Sequence, residues 1–165
     1  MNATDIVAEL ARCTAAAGKP GQPNVVYGAI DAAVQKLIGH RLFTCLIVDG
    51  DEVSRVYSSN PSAYKVSGRK PMNRTPWGDH VIKQRKIWIA RNAEDIKWAF
   101  FDHALIHSLG CDSCVNVPVV YDDKFIGTIN VLHEANWFDE AKAAAIAAFV
   151  PLVIAPYLQS ARPQE

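Results

Sequence analysis

The chain has no surplus of charge. Seventeen lysines and arginines meet seventeen aspartates and glutamates in 165 residues, for a formal net charge of zero. No global field therefore draws it toward nucleic acid or an acidic membrane. A phosphate-cradling glycine loop, a G-x-S-x-G elbow, a dinucleotide fingerprint and internal repeats are all missing, which removes the common nucleotide and hydrolase motifs. No apolar run reaches the roughly 20 residues of a membrane span. The longest uncharged apolar stretch, Ala143 to Leu158, is alanine-rich and holds Pro151 and Pro156. A buried or dimerising helix is the expectation there. The N-terminus lacks a basic and then apolar run ending in small residues, so a cytoplasmic protein is expected. Cysteine is sparse, with Cys13, Cys45, Cys111 and Cys114 alone, and in that compartment these are expected as thiols, metal ligands or redox groups rather than disulfides. The length suits one domain over 1–165, able to bury roughly 70% of its unfolded surface.

What is present is a strong β pattern from Asp112 to Phe138, DSCVNVPVVYDDKFIGTINVLHEANWF. Two β-rich runs flank the turn pair Asp122-Asp123, which predicts a hairpin. Val115, Val117 and Val119 alternate with Cys114 and Asn116, and Ile129 and Val131 alternate with Thr128 and Asn130. One sheet face is thus apolar enough to pack on helices, and the other carries small polar groups suited to a cavity.

V-P-V-V-Y, the acidic turn, F-I-G-T-I-N-V-L and the closing N-W-F-D-E resemble the end of a GAF domain, and the resemblance extends over the chain. It implies an α+β, GAF-like (PAS-related) fold. A central antiparallel sheet would carry terminal helices on one face and a small-molecule pocket on the other. The family includes nucleotide sensors, chromophore carriers, regulators and a few enzymes, so the resemblance alone fixes no function.

Elsewhere the periodicity predicts helices over Thr4 to Ala17 and from Asn24, as cap, to Leu37, with Ile6, Val7, Leu10 and Val26, Ile30, Val34 on their stripes. Leu42 to Val48, the Asp49-Gly50 turn and Val53 to Ser58 predict a first hairpin. Ser59 to Arg74 reads as a long surface loop. Thr75-Pro76 opens a short helix to about Lys83 presenting Trp77, His80 and Val81. Lys86 to Ala90 reads as an edge strand, Asn92 or Ala93 through Leu109 as helix ended by Gly110, and Phe138 to Ser160 as a closing helix kinked at Pro151. The first two helices and the last are expected side by side, leaving seams for a homodimer.

Three constellations carry chemistry. His103-x-x-x-His107-x-x-x-Cys111-x-x-Cys114 has ligand types that fit tetrahedral zinc, if Gly110 lets the four groups converge. Cys111 and Cys114 also form a redox-type pair. Gly110-Cys111-Asp112 is similar to an A-C-D stretch of the free methionine-R-sulfoxide reductases, a GAF branch, and that resemblance implies Cys111 alone as nucleophile; Cys114, three residues on, is the thiol placed to resolve a sulfenic acid. The spacing to Pro118 is shorter than in that branch, and no thiol stands near Trp77-Gly78. The third reading is a binding or sensor domain with a cavity lined by Tyr57, Trp77, His80, Trp88, His103, His107, Cys114, Asn116, Thr128 and Asn130. Three of four tryptophans and three of five histidines fall between Trp77 and His107. Eight basic residues (Lys65, Arg69, Lys70, Arg74, Lys83, Arg85, Lys86, Arg91) face a single Asp79 between Lys65 and Arg91. Together these favour a small polar or anionic ligand, with no cofactor specified.

Overall fold

The computed structural model describes residues 1–72 and 75–161. Arg74, counted in the basic segment, lies outside them. Six antiparallel strands form one sheet: β1 Leu42–Asp49, β2 Glu52–Ser58, β3 Arg69–Pro71, β4 Trp88–Ala90, β5 Ser113–Tyr121 and β6 Lys124–His133, in the order β3-β2-β1-β6-β5-β4. Helices α1 Ala3–Ala17, α2 Asn24–Leu37, α6 Glu140–Ala147 and α7 Pro151–Ser160 cover one face. The other face is covered by α3 Pro76–Gly78, which runs on into a π-helical turn at Asp79–Lys83, and by α4 Ala93–Ala99 and α5 His103–Ser108.

The terminal hairpin sets the register. Asp122 and Asp123 both take positive φ, 49° and 56°, and Tyr121 pairs with Lys124 across them. That is a two-residue turn whose twist matches the strands. Val115 then sits opposite Val131 and Val117 opposite Ile129. All four are buried against the helices, with Phe43, Cys45, Ile146, Phe149 and Val153. Gly127 allows β6 to pass close to α7: a Cβ there would stand 2.1 Å from the Leu46 carbonyl oxygen and 2.8 Å from the Tyr157 ring. The Tyr157 hydroxyl donates to the Thr128 carbonyl at 2.8 Å, locking α7 onto the sheet.

Several local expectations are corrected. The first helix begins at Ala3 rather than Thr4, with Asn2 as cap in a reciprocal capping box with Asp5. Asn24 is already helical and makes no cap; the side chain of Gln22 accepts from the Val26 amide instead. The Ser59 to Arg74 segment is not all loop, since β3 pairs with β2 through Val53↔Lys70. The helix expected from 93 to 109 is two helices, because the chain turns extended at Phe100 (φ −126°, ψ 130°). The closing helix bends at Pro151 as expected, α6 and α7 meeting at 57°. Among the described residues no single helix is long and apolar enough to cross a membrane.

Candidate functional site

Alternation sends the neighbours of the core residues to the opposite face. Thr44 pairs with Asn130, and Asn130 with Asn116, so one polar row crosses three adjacent strands. All three side chains are buried, and they satisfy one another in sequence. Trp77 Nε1 donates to Asn116 Oδ1 (3.0 Å), Asn116 Nδ2 to Asn130 Oδ1 (2.7 Å), and Asn130 Nδ2 to Thr44 Oγ1 (3.2 Å). An indole nitrogen is a donor only, so Trp77 fixes the orientation of the whole relay.

Above this row lies a cavity of about 280 Å³. Its floor is Thr44, Leu46, Thr128, Asn116 and Asn130, and its roof is Trp77, Ile82, Phe100 and Phe101. Phe100 packs against Trp77 at 5.7 Å and edge-on to Trp88 at 5.9 Å. Trp88 therefore backs the wall without lining the cavity.

The far end is charged. Arg55 is only 5% exposed and lies opposite Leu46 on β2. Its Nη1 donates to the Lys65 carbonyl at 2.6 Å, and its guanidinium carbon sits 3.6 Å from the centroid of the Tyr64 ring. Nε is buried without a hydrogen-bond partner. Gly68 makes room for this group, since a Cβ there would fall 2.5 Å from Nη1. Beside it, Lys70 Nζ donates to Asp102 Oδ1 and to the Tyr64 hydroxyl, both at 3.0 Å, and the Tyr64 hydroxyl donates to Asp102 Oδ2 at 2.6 Å. Desolvation holds the Lys70 ammonium below its ordinary pKa against the pull of Asp102. Burial alone would raise Asp102, but Lys70 and Tyr64 outweigh it and hold the carboxyl low.

Of the ten expected lining residues, Trp77, Asn116, Thr128 and Asn130 border the cavity. Tyr57 faces the helices and donates to Asp31 at 2.7 Å. The cause is a β-bulge: the register shifts between Cys45 and Leu46, Val56 is the extra residue, and every later β2 side chain changes face. His80 bonds the Ile87 carbonyl at 3.0 Å, and half-buried His103 also lies off the cavity. His107, 69% exposed, pairs with Asp112 at 2.5 Å. Cys114 is fully buried beside Asn116, behind the lining.

The zinc quartet is not assembled. His107 points outward while Cys111 and Cys114 are buried, and among the described residues no group of three or more His, Cys, Asp or Glu is arranged to hold a metal. The redox pair is poorly poised as well. Burial pushes the Cys111 thiol up to about 11 and Cys114 higher still, whereas a nucleophilic thiol needs a lowered pKa and access. The expected basic rim is also dispersed: Arg69 pairs with Asp49 and Glu52, Arg85 with Asp123, and Arg91 with Glu140. Of that segment Lys70 reaches the cavity. Arg55, Tyr64, Asp102 and Thr44 were missed from sequence. Arg55 had a legible signal, a charge alternating in step with Val53 in the middle of a strand.

A six-stranded antiparallel sheet with terminal helices behind and a small cavity under short helices in front is an α+β arrangement with room for a small molecule. The GAF domain model matches residues 24–153, and the chain belongs to that family. No individually curated protein matches it. Its fold is similar to the GAF domain of a phosphoenolpyruvate-protein phosphotransferase from Coxiella burnetii (12% identity, TM-score 0.78, 97% of this chain and 96% of that one). It is similar to the corresponding Acinetobacter domain (14%, 0.75, 97% and 96%). A further likeness is to free methionine-R-sulfoxide reductase from Neisseria meningitidis, solved with its substrate (17%, 0.72, 97% and 93%). At these identities the likeness is one of fold.

Proposed function

We propose that this GAF domain is a sensory or regulatory module that binds a small polar or anionic molecule in the cavity between the sheet and the 75–110 segment. The observation that carries this reading is the row Thr44, Asn130 and Asn116 beneath an otherwise apolar chamber. Core packing would favour valine at these positions, and amides satisfied sideways each keep a second N–H. The experiment is native mass spectrometry of the purified protein beside Asn130→Val. The wild type is expected to carry extra mass and the variant to lose it. The substitution leaves Asn116 Nδ2 without its acceptor, at a cost of about 1–3 kcal/mol. Equal retention by the variant refutes the reading.

We further propose a homodimer formed through the terminal helices. Val7 on α1 and Leu158 on α7 remain 63% and 42% exposed, which supports apolar contact between copies. A monomer mass independent of concentration refutes it. Four cysteines left as thiols support a reducing, cytoplasmic location.

A further inference from the structure

With the cavity taken as a ligand site, as proposed above, its charges and hydrogen-bond donors define what fits. Three charged side chains meet at its basic end. Lys70 and Asp102 offset each other through direct contact. Arg55 is a guanidinium cation, yet its contacts are a backbone carbonyl and an aromatic ring rather than a carboxylate. The cluster therefore holds one buried positive charge uncompensated among the described residues. An uncompensated buried ion is costly, and the Nε left without an acceptor adds to that cost. A monoanion at this end would offset the charge.

The opposite end has a defined hydrogen-bond polarity. Because Trp77 can only donate, Asn116 turns its oxygen to the indole, Asn130 accepts from Asn116, and Thr44 accepts from Asn130. The relay ends on the Thr44 hydroxyl with its own proton unused, and each amide keeps a second N–H. This end therefore offers N–H and O–H donors, beside the remaining lone pairs of the Thr44 and Thr128 hydroxyls. Asp102, the carboxylate at the basic end, is engaged by Lys70 and Tyr64, so among the described residues an ammonium group entering the cavity would find no free anionic partner. Thr44 lies two residues along β1 from Leu46, the partner of Arg55. That places the two ends ~7 Å apart along the sheet and about 5 Å across it. A volume of about 280 Å³ falls just below the range for drug-sized ligands.

We propose that the cavity selects a short monocarboxylate whose carboxylate meets Arg55 and whose far end carries a hydrogen-bond acceptor such as a ketone oxygen, and that it rejects molecules bearing an ammonium. Four compounds test this by titration calorimetry on the full chain: 4-oxopentanoate, pentanoate, 4-aminobutyrate and 4-oxopentanamide. The Trp77 indole resonance serves as local reporter. 4-Oxopentanoate is expected to bind and to shift that resonance. Pentanoate, which lacks the acceptor, should be at least tenfold weaker, and the ammonium and neutral compounds should be silent. Arg55→Gln should weaken 4-oxopentanoate at least tenfold, and Arg55→Lys, which keeps the charge, should lose less. If 4-oxopentanamide or 4-aminobutyrate binds as tightly as 4-oxopentanoate, the cavity stands as a ligand site but the chemistry assigned to it is wrong. Silence from all four also overturns the assignment. The co-purification measurement on Asn130→Val then decides separately whether the cavity holds a ligand at all.

Discussion

The two faces of the sheet are built from the same strands, one residue apart, and they differ in how completely they are satisfied. The helix face carries Phe43, Cys45, Ile47, Val115, Val117, Ile129 and Val131, all at most 4% exposed and packed in one apolar cluster. The cavity face carries Thr44, Leu46, Arg55, Asn116, Thr128 and Asn130. These are buried too, yet they are mostly polar or charged and border open volume. Burial on the first face stabilises the fold. Burial on the second holds polar groups ready for something else at some cost in stability.

Alkali should produce the largest effect, because it acts on both faces together. Burial raises the thiols Cys13, Cys45, Cys111 and Cys114 above their ordinary 9.0 and the phenols Tyr27, Tyr57, Tyr64 and Tyr157 above 10.0. The folded state keeps protons that the unfolded chain releases, so this stability is full below about pH 9 and is lost as pH rises. Lys70, held low by desolvation, works in the opposite sense, as one group against eight. Urea midpoints should fall steeply between pH 9 and 10.5; a flat midpoint would contradict the burial of these groups.

Next comes truncation. Phe43 is fully buried, with ring neighbours His40 at 5.8 Å and Tyr57 at 6.0 Å, and Phe43→Ala should cost about 3–5 kcal/mol. Leu46→Ala, three residues along β1 and on the other face, only enlarges a space already open. Its cost should sit at or below the ~2 kcal/mol lower bound for such truncations. Chemical denaturation of both variants measures the contrast, and equal losses would erase it.

Much of this division was legible in the sequence. Strict alternation in Val115 to Val119 and Thr128 to Val131 gave both faces and their register, because a period of two leaves no freedom once one face is apolar. Tyr57 was illegible, since a bulge leaves no mark in the alternation and reverses every position after it. The histidines misled for another reason. Helical spacing from His103 to His107 gives a shared helix face but not the rotation of a short helix about its own axis, and α5 buries Ile106 instead. Lys70 and Asp102, 32 positions apart, belong to a pairing that no local pattern encodes.

Within the cavity itself the two cations should behave differently. Lys70→Met leaves Asp102 buried with Tyr64 as its remaining side-chain partner. Breaking a buried pair costs about 3–5 kcal/mol. Here the side chains are 19% and 15% exposed, so a loss of about 2–3 kcal/mol is expected by chemical denaturation, and a neutral result would show that water already screens the pair.

Arg55→Met is the smaller and more telling change. It removes one hydrogen bond to the Lys65 carbonyl and the stacking on Tyr64, losses of order 1 kcal/mol each. It also removes a desolvated charge with no carboxylate across from it, a relief of comparable size, and Lys70 and Asp102 then balance to zero. The two contributions nearly cancel, so the unliganded variant should unfold within about 1 kcal/mol of the wild type. A structural arginine behaves otherwise, because its loss leaves partners stranded. Denaturation of ligand-free Arg55→Met beside ligand-free wild type tells the two apart. A loss beyond about 2 kcal/mol would place Arg55 with Phe43 among the groups that hold the fold. Parity would mean that its burial on the cavity face is maintained for a ligand.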